Sequence, residues 1–198
     1  MFTTNERLKS RTGKNNVGRY EFLKQLTEEF KSTASPDAKH QVMANLANFS
    51  YDPINYEHLR SLGVLDIFLE HLTEEDVTLT RFALGGLCNL ALDPENKEYI
   101  NSSGGISQIS NCLSSSCIET VQYAVTSLMF LMTAKYKDEI TSDANIARML
   151  ELSHHPDKRI QNLAVIFLDD YCHRDQVHRM RSNVTTIPLP GSQAPTPQ

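Results

Sequence analysis

Apolar side chains recur along this chain on two scales. On the short scale, Leu65, Phe68, Leu69 and Leu72 stand at i, i+3, i+4 and i+7, and Ile106, Ile109 and Leu113 echo them. That spacing puts each set on one face of a 3.6-residue helix. On the long scale the pattern returns every 41 residues: Val42, Leu46 and Phe49 map onto Ala83, Leu87 and Leu90, and those onto Ala124, Leu128 and Leu131. A further step of 40 reaches Ala164, Leu168 and Tyr171. The polar positions keep the same interval. Asp52-Pro53-Ile54-Asn55-Tyr56-Glu57 matches Asp93-Pro94-Glu95-Asn96-Lys97-Glu98 at four of six places, Asn48 falls on Asn89, and Gly63 on Gly104. Chance supplies one such match, not a ladder in four copies. The chain is built of repeats, each burying its apolar face only against its neighbours.

Each unit predicts three helices. The first is short, with Asp52 or Asp93 capping it and Pro53 or Pro94 at the first helical position, where a missing N–H costs nothing. Gly63 or Gly104-Gly105 then stops it and turns the chain. The second carries the Leu65 or Ile106 stripe and ends at Thr73-Glu74-Glu75-Asp76 or Ser114-Ser115-Ser116. The third is the longest, over about 77–91 and 118–132, with further copies at about 37–50 and 157–172. Its Ala83 or Ala124 is small enough for close helix approach. No period-two alternation appears, so strands are not expected. Tyr20, Leu23, Leu26 and Phe30 form an amphipathic stretch expected to cap the open end of the stack. Four prolines in Ile187–Pro197 rule out a helix there. The predicted organisation is a basic disordered arm (1–17), a repeat domain with terminal caps (18–182) and a proline-rich flexible tail (183–198).

Charge alters the functional picture more than the fold. The net charge of −5 divides into +4 over residues 1–19, −11 over 20–172 and +2 over 173–198. An acidic body repels a phosphate backbone, so direct nucleic-acid binding by the body is not expected. The longest apolar run, Leu163–Leu168, is six residues, far short of the roughly 20 that cross a bilayer. The first residues lack the apolar stretch of a signal peptide, and a soluble intracellular protein is expected. Cys88, Cys112, Cys117 and Cys172 form no C-x-x-C pair and read as reduced, structural thiols. Asp169-Asp170 beside Tyr171-Cys172-His173 brings acid, thiol and imidazole together without a nucleophile–base spacing. His154-His155 before Pro156 reads as a surface turn. Neither an enzyme, a metal site nor a cofactor is expected, and Asn183-Val184-Thr185 is a glycosylation sequon with no use outside secretion.

The period near 41, the turn Gly104-Gly105-Ile106 through Leu113-Ser114-Ser115, and the helix ending Gly86-Leu87-Cys88-Asn89-Leu90-Ala91 resemble the armadillo repeat over about residues 37–172. The resemblance implies an all-α, right-handed α-solenoid of about three full three-helix units, with an N-terminal partial unit and cap. Its third helices would line a groove that binds extended peptides or partner domains. In many members an asparagine near the end of each third helix holds the backbone of a bound chain. Asn48 and Asn89 stand there, while Phe130 and Asp170 replace it in the later copies. The tryptophan found beside it in import receptors is absent, with Ala44 and Gly85 in its place, so a receptor for nuclear-localisation signals is not expected. Ala44–Pro53 together with Phe82–Leu90 narrows the resemblance to one small branch of the family. That branch implies a nuclear, non-enzymatic scaffold of the minor spliceosome, with a cytoplasmic pool as an alternative, paired with an RNA-binding motif protein that carries an RNA-recognition fold.

The residues expected to meet a partner in the groove are Asn45, Asn48, Arg81, Gly85, Asn89, Thr126 and Phe130. Asparagine is a mediocre helix former, and its return at one repeat position argues for a role. Gly85-Gly86 in mid-helix points to close packing, or to close approach of a partner. Arg174, Arg179 and Arg181, with His173 and His178, form a candidate basic contact strip after the last repeat. Two rival readings stand beside the splicing scaffold: a direct RNA binder using its basic termini, and an armadillo peptide-binding adaptor unrelated to splicing.

Overall fold

The computed structural model describes residues 2–4, 6, 17–73 and 75–185, with side chains as far as 182. Most of the predicted basic arm, and the predicted tail beyond 185, lie outside the described residues. Those residues are helical, with no strand among them. They form two compact units, divided between Lys137 and Asp138.

In the first unit, α1 (Arg19–Ser32) and α2 (Pro36–Phe49) precede two full repeats. One repeat consists of a 3-10 turn (Pro53–Asn55) running into α3 (Tyr56–Ser61), then α4 (Val64–Glu70) and α5 (Val77–Leu90). The next consists of α6 (Pro94–Ser102), α7 (Gly105–Asn111) with a 3-10 turn at Cys112–Ser114, and α8 (Ile118–Leu131). The start signals act as their chemistry requires. Asp52 accepts from Ile54 N at 3.4 Å and Asp93 from Asn96 N at 3.0 Å, each satisfying an orphan donor of the helix start. Gly63 and Gly104 take φ of +70° and +77°, a left-handed conformation that side chains resist.

The long third helices carry the packing. α5 lies between α2 and α8, with α4 against α5 and α7 against α8. The ladder residues Leu46, Ala83, Leu87, Leu90, Ala124, Leu128 and Leu131 are all fully buried, and each leucine contributes roughly 1.5–3 kcal/mol by leaving water. Phe49, the ladder's first outer rung, is only half-buried. The glycine pair of α5 splits its duties. A Cβ on Gly86 would meet the Phe68 ring at 2.4 Å, whereas one on Gly85 would meet Tyr123 at 3.3 Å. The capping helix α1 differs from the expected register: it buries Leu23, Thr27 and Phe30. Tyr20 stays exposed, with its ring edge-on to His58. α1 packs mainly on α2, with a smaller contact on α3, and Tyr20 at its first turn remains in solvent.

Polar bridges tie the helices together both within and between repeats. Arg60 donates to Asp93 at 2.9 Å and also pairs with Glu95, Tyr56 donates to the Asn89 carbonyl at 3.1 Å, and Lys135 meets Glu98 at 2.6 Å. Cys88 and Cys112 are buried, and burial pushes both thiols up to about 11. They therefore stay protonated near neutral pH, as packing residues should.

The second unit contains the rest of α9 (Lys137–Ile140), then α10 (Asp143–Leu152), α11 (Lys158–Asp170) and α12 (Arg174–Thr185). α11 and α12 both pack on α10, over a core of Ile146, Met149, Ile160, Ala164 and Phe167. Ser142 and Asp157 cap α10 and α11. Tyr171, the last rung of the ladder, is half-buried and stacks on Phe167 at 5.9 Å.

Candidate functional site

On the first unit, α2, α5 and α8 present a shallow hollow of about 180 Å³ lined by Ala44, Ala47, Asn48, Arg81, Phe82, Gly85, Asn89, Glu119 and Tyr123. The repeat explains why it is there. Small residues line it at Ala44 and Ala47 of α2 and at Gly85 of α5, lowering the floor, while Tyr123 of α8 stands beside it. Gly85 has no side chain to hold that ring away, and Tyr123 lies close over it. The guanidinium of Arg81 rests 4.7 Å from the centre of the Phe82 ring, a cation–π contact worth about 0.5–1 kcal/mol where water can reach it.

The polar groups of the hollow are largely uncommitted. Asn48 is exposed and Asn89 half-buried. Neither side-chain amide makes a hydrogen bond among the described residues, although the Asn89 backbone carbonyl takes the Tyr56 hydroxyl. Arg81 has no carboxylate within ion-pair distance among the described residues. Each asparagine amide offers both a donor and an acceptor, the pair that a peptide group needs. The hollow therefore presents two side-chain amides, one cation, one carboxylate and two aromatic rings.

Of the seven groove residues expected from the sequence, the hollow gathers Asn48, Arg81, Gly85 and Asn89. Asn45 is half-buried outside it, accepting from Gln41 at 3.2 Å. The Thr126 hydroxyl turns back to the Gln122 carbonyl at 2.8 Å, and Phe130 is 36% exposed near the end of α8, also outside. Phe82, Glu119 and Tyr123 were not anticipated. A signal for two of them was in plain view, because Phe82 and Tyr123 are aromatic residues one 41-residue interval apart.

The basic strip on α12 is partly spent within its own unit. Arg179 pairs with Asp143 at 3.1 Å, and Gln176 donates to both Asp143 and the Thr141 carbonyl. These donors hold the Asp143 carboxyl below its ordinary value, the hydrogen bond from Gln176 most of all. Arg174 and Arg181 are exposed. His154 meets the Leu150 carbonyl at 3.0 Å, and His155 takes the Asp157 N–H at 3.0 Å, both local turn contacts. Among the described residues no group of three or more His, Cys, Asp or Glu could hold a metal ion, and no helix is long and apolar enough to cross a membrane.

Three-helix units at a fixed interval, their third helices stacked and carrying the hollow, define an all-α solenoid of armadillo repeats. Known proteins agree, although no protein-family model matches the chain. It is 50% identical over 185 residues to armadillo repeat-containing protein 7 of Mus musculus, covering 90% of this chain and 93% of that protein. Among solved structures, an engineered protein superimposes with a TM-score of 0.70 at 18% identity, over 83% of this chain and 68% of that one. A designed armadillo repeat protein in complex with the peptide (KR)4 gives 0.68 at 17% identity, over 76% and 64%. Likeness at such low identity shows the fold alone. The chain belongs to the family of armadillo repeat-containing protein 7.

Proposed function

We propose that this protein is a non-enzymatic scaffold that holds a protein partner in the groove of α2, α5 and α8. The observation that carries this reading is the pair of side-chain amides, Asn48 and Asn89, that make no hydrogen bond among the described residues and stand one repeat apart beside the same hollow. Two such groups on rigid, fully packed helices can hydrogen-bond successive peptide units of an extended chain with little ordering cost on this side. That a designed armadillo repeat protein is solved with a peptide supports the same use of the fold.

The finer reading follows from membership of the family. We infer a nuclear role in pre-mRNA splicing, within the minor spliceosome, in which the partner is an RNA-binding motif protein with an RNA-recognition fold. The acidic body suits this arrangement, since its field favours encounter with a basic partner while disfavouring RNA itself. Affinity capture from nuclear extract with the wild-type protein and an Asn48→Ala/Asn89→Ala variant, followed by mass spectrometry, tests both levels. The expected result is an RNA-recognition protein among the captured partners, lost or strongly reduced with the variant. Equal capture by a correctly folded variant would overturn the groove reading, and a partner set without splicing proteins would overturn the finer one. Binding of the isolated protein to RNA, falling steeply with salt, would favour the basic-termini alternative.

A further inference from the structure

The groove amides describe how a partner's backbone would be held and leave its side chains open. The C-terminal ends of α2, α5 and α8 supply the missing half. α5 packs on both α2 and α8, and Tyr56, just past the end of α2, reaches the Asn89 carbonyl at the end of α5, so equivalent helices of successive repeats set these ends along one edge of the first unit. Each end exposes one large apolar side chain: Tyr51 at 60%, Leu92 at 56% and Phe130 at 36%. A single exposed apolar residue is ordinary. Here two of the three recur with the repeat. Tyr51 and Leu92 occupy the same repeat position, directly before the capping residues Asp52 and Asp93, and Phe130 takes the place that Asn89 holds one repeat earlier.

The first of these stations is already in use. The ring of Phe2 sits 5.6 Å from that of Tyr51, and the backbone N–H of Thr3 donates to Asp52 Oδ2 at 3.0 Å. A short segment is thus seated by ring-on-ring contact and by one backbone bond to the capping carboxylate. The second station has an apolar side chain and a capping carboxylate at the same two positions, with leucine in place of the ring, and no occupant among the described residues. Leu92 is open, and Asp93 uses Oδ1 for its cap and for Arg60. No donor among the described residues reaches Asp93 Oδ2, the counterpart of the oxygen that Thr3 engages.

We propose that Leu92 and Phe130 anchor an extended segment of a protein partner through two uncharged apolar side chains, with a backbone N–H of that segment donating to Asp93 Oδ2. This rests on reading the first unit as a protein-binding surface and adds the chemistry of what it selects. Neighbouring packed helices lie about 8–10 Å apart, and an extended chain advances about 3.3 Å per residue. The two anchors therefore stand about three residues apart in the partner. Lysine or arginine at those positions would lose its hydration against Leu92 and Phe130 without finding a carboxylate matched to each, so the segment is apolar rather than basic.

The test is fluorescence anisotropy of the whole protein with labelled neutral peptides of Ser, Thr and Gly carrying phenylalanine at every third position. Controls place the same phenylalanines side by side, or replace them with lysine. The third-position peptide is expected to bind best, and Leu92→Ser and Phe130→Ser each to weaken it by about tenfold, as loss of an apolar anchor does. Both changes are at the surface, and thermal melting would show that the fold survives. Equal binding of the lysine peptide, absence of binding by any of the peptides, preference for single-stranded RNA, or indifference to both substitutions would each overturn the proposal. Partner capture separates it from the groove reading. If the asparagine variant loses the partner and the serine variants keep it, the groove stands and the edge falls; the reverse pattern removes the groove clamp and keeps the edge.

Discussion

α5 and α8 are the same element one repeat apart, and their differences separate what the fold needs from what a surface is free to choose. Their inward positions match: Ala83 with Ala124, Leu87 with Leu128 and Leu90 with Leu131, every one without solvent exposure. Elsewhere they part. Asp76 caps α5 with two backbone N–H bonds, while Cys117 at the start of α8 makes no side-chain cap. Gly85-Gly86 in α5 becomes Thr126-Ser127 in α8, and Asn89 becomes Phe130. Stacking enforces the first set, because each repeat borrows its core from the next. The second set answers to local neighbours and to whatever the surface meets.

The largest expected effect tests the shared half of this comparison. Leu87→Ala and Leu128→Ala should each cost about 2–5 kcal/mol, the transfer energy plus the cavity left behind. Chemical denaturation followed by circular dichroism measures both. If the two inward ladders are equivalent, the losses should be similar. A Leu128 loss far below that at Leu87 would show that α8 relaxes around the hole and that the equivalence is only one of sequence.

The glycines come next, and here adjacent residues should behave oppositely. Gly86→Ala drives a Cβ to 2.4 Å from the Phe68 ring, which is itself fully buried, and overpacking of this kind costs about 1–3 kcal/mol. Gly85→Ala meets Tyr123 first, at 3.3 Å, and that ring is 40% exposed and free to give way. Alanine also favours a helix over glycine by about 1 kcal/mol, so this substitution should be neutral or stabilising in a melting experiment. Destabilisation at Gly85 equal to that at Gly86 would mean that the floor of the hollow is packed, not open.

Much of this architecture was legible in the residues, for a physical reason. The 41-residue interval, the Asp-Pro starts and the Gly63 and Gly104 stops all encode backbone geometry, which neighbouring side chains do little to override. The third helices accordingly fall within two residues of their expected ends. The hollow was only half legible. Repeat register places Asn48, Arg81, Gly85 and Asn89 in the hollow, but Thr126 and Phe130 share the register of Gly85 and Asn89 and lie outside, as does Asn45 one turn before Asn48. Which side chains converge depends on crossing angle and on which neighbour is small, and a linear period carries neither. Thr126 shows a further limit, since its hydroxyl satisfies itself on its own helix. Sequence alone places Arg179 in the basic strip without its partner, because Asp143 is 36 residues away.

The caps give the smallest effect and the most discriminating one, because their difference depends on pH. Asp76 accepts from Thr78 N at 2.9 Å and Leu79 N at 3.0 Å, and His40 Nε2 lies 2.7 Å from its other oxygen. The His40 bond, more than any other contact, holds the Asp76 carboxyl below its ordinary value, followed by the backbone bond from Leu79. A carboxylate depressed in the folded state contributes stability that is fully present above its unfolded value, about pH 4, and is lost as pH falls through the folded one. Asp76→Ala should therefore cost about 1 kcal/mol at neutral pH, and the gap from wild type should close as the solution is acidified below about pH 4. Cys117→Asp is the converse experiment: it offers α8 the cap it lacks and should gain up to about 1 kcal/mol at neutral pH, a gain that acid also removes. Urea titrations across this pH range read both. If the Asp76→Ala gap stayed constant into acid, the carboxylate would not be the source of the difference, and the contrast between the starts of α5 and α8 would have to lie in their neighbours instead.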